Sequence, residues 1–265
     1  MCSLFFPRHD ETLIAILWEA GTVGIVEEGA GLRAYFEDAG SLDVLTGLGG
    51  EFRNEPTEIA ASNANDWPPI AVGQRLYLVP PSFSGSVPES RWKLQLQSGA
   101  AFGSGRHETT QLCLEAMERY MRPGAVVIDT GCGSGILSAA AHLLGASRVI
   151  SCDIDPNAVD LTRRYMNKEV FSGSADAIAP HTADLVIANL TAAILDKLAW
   201  DLKRIARPQG LVLLSGFLRD RVPLRFRPHE EFERNEWLCW VCRSDAISAP
   251  PPGADGLVHD AEWWL

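Results

Sequence analysis

Three glycines at alternate positions follow an aspartate near the middle of the chain. The segment AVVIDTGCGSGI places Asp129 two residues before Gly131, with Gly133 and Gly135 behind it. Glycines at a turn between a strand and a helix let the backbone approach a ligand without Cβ clashes, and the helix N-terminus presents its N–H groups to that ligand. The pattern therefore predicts a site for a nucleotide-like cofactor.

The charge beside this turn distinguishes two classes of cofactor. Dinucleotide sites use GxGxxG and hold a pyrophosphate, which a neighbouring carboxylate repels. Here the third glycine comes one residue early, because Ile136 follows Gly135, and Asp129 stands beside the turn. A carboxylate instead attracts an ammonium and a sulfonium, and S-adenosylmethionine carries both. We therefore expect S-adenosylmethionine as the cofactor and S-adenosylhomocysteine as its product.

Polar side chains also end the next two apolar runs. Asp153 lies 22 residues after Gly131, the spacing at which a carboxylate meets ribose hydroxyls in a nucleotide-binding βαβ unit. Asn189 ends the run ADLVIAN, where its side-chain oxygen could hold an amine. The carboxyl ends of parallel strands line one crevice, so we expect these residues to lie together. Asp155, before Pro156, is expected to cap a helix.

A second glycine-rich stretch, SGAAFGSGRHETTQ, covers residues 98–111. Gly103 and Gly105 would allow this stretch to fold over a ligand, and Phe102 could pack either on the cofactor or in the core. Thr109 or Thr110 could cap the following helix or bind the methionyl end of the cofactor. His107 could act as a base, although we favour a role as a hydrogen-bonding scaffold.

Apolar strands and helices alternate through most of the chain, which predicts an α/β fold with a doubly wound parallel sheet covered on both faces. The strands are predicted at 125–129, 148–155, 183–190 and 211–217, and the helices at 109–121, 136–145, 156–168 and 192–206. A helix at 11–20 and a hairpin at 24–28 and 32–37 predict a small α+β unit, with no strand assigned before that helix. These patterns predict a small N-terminal domain at 1–60, a linker at 61–74 and a larger domain at 75–265.

The composition narrows the classes of partner. The chain has 265 residues, with 23 Lys and Arg against 34 Asp and Glu, a net charge of −11. This acidity argues against a nucleic-acid-binding face and suits a basic partner. Cys239 and Cys242 form a CxxC on a predicted strand, where they would point to opposite faces, so no metal site is expected. No leader or long apolar run is evident, so we expect a cytoplasmic protein without membrane contact.

The sequence resembles the ribosomal protein L11 methyltransferases, the PrmA family. Five segments carry the resemblance, in the same order and spacing: AFGSGRHETTQLCLEA, VIDTGCGSGILSAAAHLLGA, DIDPNAV, IANLTAAIL and LLSGFLRDR. The segment LWEAGTVGIVEEGAGLRAYFE is similar to the N-terminal domain of that family, and EWLCWVCR to its closing strand. The loop at 98–105 reads SGAAFGSG where the family usually has PGLAFGTG.

This resemblance implies a class I S-adenosylmethionine methyltransferase, a Rossmann-like fold, with a small N-terminal ferredoxin-like domain that binds a protein of the large ribosomal subunit. The family's cofactor contacts fall on Thr110, Gly131, Asp153 and Asn189, and Phe102 and Gly103 lie in the loop over the cofactor. The implied reaction is methylation of amines, on lysine side chains or the N-terminus, with Asn189 orienting the amine. No dedicated base is evident.

Three other functions stay open from the residues alone. The first is a nicotinamide-dependent oxidoreductase, which the early third glycine and Asp129 oppose. The second is a module that binds S-adenosylmethionine and the ribosomal protein without turnover. The third is an N-methyltransferase acting on a small molecule or another protein. A separate N-terminal domain argues against the small-molecule substrate.

Overall fold

Three β-sheets organise the part of the chain that the computed structural model describes. These residues are 2–8, 10–20, 22, 24–28, 31–36, 45–53, 67–95, 105–166 and 169–249. Two of the sheets are small and come first in the chain, and the third has seven strands. The large sheet positions the residues predicted to bind a cofactor.

The N-terminal sheet is antiparallel and has a helix between its first two strands. Its elements are β1 (Cys2–Phe6), α1 (Glu11–Glu19), β2 (Gly24–Glu28), β3 (Gly31–Phe36) and β4 (Glu51–Arg53). The strand order β2-β3-β1-β4 is that of a ferredoxin-like unit, which confirms this expectation and the predicted hairpin. The sequence analysis assigned no strand before the helix, yet β1 lies at the centre of this sheet.

A three-stranded sheet connects this unit to the rest of the chain. It consists of β5 (Ile70–Val72), β6 (Leu76–Val79) and β7 (Trp92–Gln95). The Glu118 carboxylate accepts three backbone N–H bonds from the turn between β5 and β6 and from the start of β6, at 2.8 to 3.0 Å. Strand β5 thus forms inside the segment 61–74 that was predicted as a linker, and the domain boundaries remain a prediction.

The large sheet has the strand order β10-β9-β8-β11-β12-β14-β13. Its strands are β8 (Val126–Thr130), β9 (Arg148–Asp153), β10 (Val170–Ser172), β11 (Ala183–Asn189), β12 (Ala206–Leu218), β13 (Glu230–Arg234) and β14 (Trp237–Arg243). The four strands predicted before the closing strand are confirmed and pair in parallel. Strand β14 runs opposite to the other strands of this sheet and pairs antiparallel with β12 and β13. The sequence analysis missed β10, which is short, and β13, which is mostly charged.

Helices cover both faces of this sheet, as predicted. They are α2 (Glu108–Tyr120), α3 (Ile136–Leu143), α4 (Pro156–Met166) and α5 (Ala192–Ile205). Along β11, Leu185 and Ile187 pack in the core with α2 and α3, whereas Val186 and Ala188 pack on the opposite face with α5. Among the described residues, no helix combines the length and apolar character needed to cross a membrane.

The two cysteines of the CxxC on β14 point to opposite faces of the sheet, as predicted. Cys239 lies in the core that contains α2 and α3, and Cys242 lies in the core that contains α5. Both thiols are free and buried. Burial raises the pKa of the Cys242 thiol to about 12, so it stays protonated and packs as a small apolar side chain.

Candidate active site

The carboxyl ends of four parallel strands bring the predicted residues to one edge of the large sheet. The sheet order places β9, β8, β11 and β12 side by side. Asp153 ends β9, Asp129 lies next to the end of β8, and Asn189 ends β11 beside Ser215 of β12. This edge is where open α/β sheets bind their ligands.

The glycine turn after β8 requires glycine for steric reasons. Gly131, Gly133 and Gly135 have φ values of 71°, 52° and 77°, in the left-handed region that L-residues with a Cβ rarely adopt. The backbone N–H groups of Gly131 and Cys132 both donate to the Cys152 carbonyl oxygen, at 2.8 and 3.1 Å. A Cβ on Gly131 would lie 2.6 Å from Leu190 Cδ2. The turn is therefore held tightly against β9 and against the segment after β11.

Asp153 is fixed at the turn by backbone donors. Its Oδ2 accepts the Gly133 N–H at 2.8 Å, and its Oδ1 accepts the Asp155 N–H at 3.0 Å. Burial nevertheless raises the pKa of this carboxyl group above its ordinary value. The Asp155 carboxylate accepts the Asn157 N–H at 2.8 Å in the first turn of α4, which confirms its predicted role as a cap.

Asp129 is buried between β8, β9 and α3. Its side chain is only 1% exposed, and its Oδ2 accepts a hydrogen bond from the Ser138 hydroxyl. The Ser138 oxygen is also 2.7 Å from the Ser151 oxygen, so the Ser151 hydroxyl supports the one that donates to the carboxylate. Burial raises the pKa of Asp129 to about 6, although the Ser138 hydrogen bond lowers it. Repulsion by Asp153 raises it further.

The two aspartates make this edge electronegative. Burial is the main cause that raises the pKa of the Cys152 thiol to about 12, and the Asp129 charge is the next. The same two causes, in the same order, raise the pKa of Cys132. Burial is thus the main reason why the pKa values of these four groups are raised, and repulsion between negative charges adds to it. A cationic ligand would relieve this repulsion, whereas a pyrophosphate would add to it.

Asn189 stands between the glycine turn and α2. Its Nδ2 lies 3.3 Å from the Thr109 hydroxyl oxygen and 3.5 Å from that of Thr110. Its Oδ1 is buried and accepts no hydrogen bond from any residue that the structure describes. A buried amide oxygen without a donor costs free energy, so this atom marks a position for a ligand donor.

His107 is the N-cap of α2, in place of the threonines that the sequence suggested. The Thr109 N–H donates to His107 Nδ1 at 3.3 Å, and the Thr109 hydroxyl lies 2.9 Å from the same nitrogen. The imidazole packs edge-on against Trp237, with ring centroids 4.6 Å apart. Burial lowers the pKa of His107, so the ring is neutral. The expected role as a scaffold is therefore confirmed for the cap, and a role in catalysis stays a prediction.

An apolar cavity of about 250 Å³ is lined in part by Asn189. Its polar lining includes His107, Thr109, Asn189 and Thr22, and Thr22 comes from the N-terminal unit between α1 and β2. The apolar side chains that line it are Leu190, Ala192, Ile194, Phe217, Leu218 and Trp237. A cavity of this kind fits the extended apolar part of an acceptor whose reactive end reaches Asn189.

Comparison with known proteins identifies the family. The family model for ribosomal protein L11 methyltransferase (PrmA) matches residues 53–244. The chain belongs to the ribosomal protein L11 methyltransferase family. A protein of that name from Caldanaerobacter subterraneus subsp. tengcongensis is 35% identical over 215 residues, which cover 73% of this chain and 70% of the relative. Another from Caldicellulosiruptor saccharolyticus is 40% identical over 168 residues, covering 60% of this chain and 55% of the relative.

A solved structure supports the same assignment of the fold. The ribosomal protein L11 methylase from Lactobacillus delbrueckii subsp. bulgaricus matches with a TM-score of 0.61 and 28% sequence identity. The match covers 67% of this chain and 99% of that chain. The Rossmann-like sheet of this methyltransferase family is thus the architecture found here, and in this chain a small N-terminal sheet unit precedes it.

Two predicted site residues of this family member, Phe102 and Gly103, lie outside the described residues. The sequence patterns indicate His107, Thr109 and Asn189 as site residues, but not the rest of the cavity lining. The positions of Phe217 and Trp237 at the ends of predicted strands weakly indicate that they lie near the site. Nothing in the sequence indicates Thr22, because it is far along the chain from the other lining residues. The sequence also does not indicate Ser138, which donates to Asp129, or Ser151, which contacts Ser138, because neither serine belongs to a recognisable motif.

Proposed function

We propose that the chain transfers a methyl group from S-adenosylmethionine to amine nitrogens of ribosomal protein L11, on lysine side chains or the N-terminus. The single observation that carries this proposal is the Asn189 Oδ1 atom, which is buried and has no donor among the described residues. Asn189 lines the apolar cavity and ends β11, the strand next to the one that leads into the glycine turn. An amine N–H entering from the cavity would complete its hydrogen bonding.

The residues of the turn fit S-adenosylmethionine. The three glycines leave room for a ligand where a Cβ would interfere, and Asp153 is held in place to accept hydrogen bonds from ribose hydroxyls. The buried charge of Asp129 would attract the positive charge of the methionyl end, and Thr110 would lie beside it. When bound, the cofactor would supply a methyl group on a positively charged sulfur. The sulfur is a good leaving group because it departs as the neutral thioether of S-adenosylhomocysteine.

The protein must also deliver a neutral amine, because a protonated amine has no lone pair to attack with. The pKa of a free lysine is about 10.4. The apolar walls formed by Phe217, Trp237 and Ile194 would penalise the charged form and lower this value. Asn189 Oδ1 would then accept an N–H of the amine and orient its lone pair towards the methyl group, so that positioning supplies much of the rate.

The acceptor is proposed from the names of the relatives and from two features of this chain. The net charge of −11 suits a basic ribosomal protein and opposes direct binding of nucleic acid. Thr22 brings the N-terminal unit to the wall of the cavity, so a protein gripped by that unit could extend an amine inwards. Such a substrate places the reaction in the cytoplasm, where ribosomes assemble.

The test is methylation of purified ribosomal protein L11, measured by mass spectrometry after incubation with S-adenosylmethionine. We expect added methyl groups with the wild-type protein, and a loss of most turnover with Asn189→Ala at unchanged cofactor affinity. Asn157→Ala, an exposed asparagine on α4, is the matched control and should keep full activity.

Two results would contradict this proposal. Cofactor binding without methylation of L11 would favour a binding module, or an enzyme for a small molecule if a panel of free amines is methylated instead. Equal turnover by Asn189→Ala and the wild-type protein would remove Asn189 from the mechanism.

A further inference from the structure

Three side chains form a continuous chain of hydrogen bonds from α2 to the end of β11. Asn189 Nδ2 lies 3.3 Å from Thr109 Oγ1, and Thr109 Oγ1 lies 2.9 Å from His107 Nδ1. The cavity is lined by all three residues. His107 is further held by its edge-on contact with Trp237.

The direction of these hydrogen bonds follows from the helix cap. The Thr109 N–H donates to His107 Nδ1, so that nitrogen carries no hydrogen and acts as an acceptor. The Thr109 hydroxyl, 2.9 Å away, must then donate its hydrogen to the same nitrogen. Its oxygen is left with lone pairs only, so Asn189 must present its NH₂ group to it.

An asparagine side chain has nearly the same shape with its oxygen and nitrogen exchanged, so its neighbours decide which atom faces a ligand. The Thr110 hydroxyl, 3.5 Å from Nδ2, can accept or donate and does not decide the question. Among the described contacts of Nδ2, it is the chain beginning at His107 that forces this atom towards α2. It thereby leaves Oδ1 as the atom offered to the ligand.

We propose that His107 is a positioning residue, which acts through Thr109 to orient the amide of Asn189 with its oxygen towards the acceptor amine. This inference rests on the proposed function of Asn189. In this role the Nδ1 edge of the imidazole is required, and the ring takes up no proton from the amine. A general base would instead use the Nε2 edge.

The first experiment compares variants that keep or remove the acceptor atom of His107 and the hydroxyl group of Thr109. In His107→Asn, the side-chain oxygen replaces Nδ1 as cap and acceptor but nothing replaces Nε2, whereas His107→Ala removes both. Thr109→Ser keeps the hydroxyl and Thr109→Val removes it. We expect His107→Ala and Thr109→Val to lower kcat by roughly 10- to 100-fold with unchanged cofactor affinity. The Asn and Ser variants should regain most of that loss.

The matched control is Thr182→Val, at the other end of β11, where the hydroxyl donates to the Ala179 carbonyl oxygen at 2.7 Å. It should keep the wild-type kcat. Melting temperatures of all variants identify any loss that reflects unfolding. A loss in His107→Asn as large as that in His107→Ala would assign chemistry to the ring and overturn the proposal. Equal kcat for Thr109→Val and Thr109→Ser would overturn it as well.

A second measurement does not depend on turnover and separates this proposal from the proposed function. Nitrogen-15 NMR of the labelled imidazoles, with the His107 signals identified by their absence from His107→Asn, should show the neutral tautomer with hydrogen on Nε2. This measurement tests the hydrogen-bond chain even if the protein proves not to methylate ribosomal protein L11. A tautomer with hydrogen on Nδ1 would overturn the proposal.

Discussion

At the scale of single residues, the ionisation of Asp129 makes the stability of the unliganded protein depend on pH. Its ordinary pKa of 3.8 rises to about 6 in the folded protein. Between these values the folded state retains a proton that the unfolded state has lost. Stability therefore falls as pH rises through this window, and above pH 6 the ionised group destabilises the unliganded protein by about 3 kcal/mol.

Asp129→Asn is therefore expected to stabilise the unliganded protein at pH 8, because the amide can still accept the Ser138 hydroxyl but carries no charge. The gain should be up to about 3 kcal/mol at pH 8 and should vanish near pH 4, where the carboxyl is already neutral. Urea denaturation at both pH values measures it. Asp160→Asn, an exposed aspartate on α4, is the control and should show no such pH dependence. Destabilisation by Asp129→Asn at pH 8 would contradict this view.

The same carboxyl group should make cofactor affinity depend on pH. A cation bound beside Asp129 favours its ionised form, so S-adenosylmethionine should bind more tightly as pH rises from about 5 to 7. Calorimetric titrations across this range measure the effect. In Asp129→Asn the affinity should be weaker and should lose most of its dependence on pH, and an unchanged slope in that variant would count against a role for Asp129.

At the scale of elements, β12 and the segment after β11 approach one another closely at the cavity. Gly216 has a φ of 95°, and a Cβ there would lie 2.5 Å from the Leu190 carbonyl oxygen. Leu190 in turn donates its N–H to the Ser215 carbonyl oxygen at 2.9 Å. The contact is between backbone atoms, which cannot move aside as a flexible side chain can.

Gly216→Ala should therefore destabilise the protein by about 3 kcal/mol or more, since a steric clash adds to the backbone strain. Gly124→Ala is the matched control. It has a φ of 84° but open space around the added Cβ, so only the strain of roughly 1 kcal/mol is expected. Urea denaturation of both variants provides the comparison. Equal losses of unfolding free energy in the two variants would show that the close approach of the Leu190 backbone adds no steric clash.

How much the sequence predicts also becomes clear at this scale. The apolar runs of β8, β9, β11 and β12 are buried on both faces and were therefore evident, as was the glycine turn. β13, with the sequence EEFER, gives no apolar signal because it lies at the sheet edge. The cap by His107 and the cavity wall at Thr22 depend on contacts between distant segments, which local patterns do not contain.

At the scale of the whole molecule, the charge of the chain should affect its encounter with a basic protein substrate. With a net charge of −11, attraction to ribosomal protein L11 would be screened by salt, over a Debye length of about 8 Å at physiological ionic strength. We expect KM for that protein to rise between low and high salt, because steering affects association. The Kd of the cofactor, which contacts buried groups, should change much less. A KM that does not respond to salt would contradict this expectation.

The account as a whole depends on the electronegative edge formed by Asp129 and Asp153, and ligand choice tests it most directly. The measurement is a pair of calorimetric titrations of the wild-type protein at pH 8, one with S-adenosylmethionine and one with NADH. We predict saturable binding of S-adenosylmethionine and no heat from NADH. Saturable binding of NADH, with none of S-adenosylmethionine, would contradict the account.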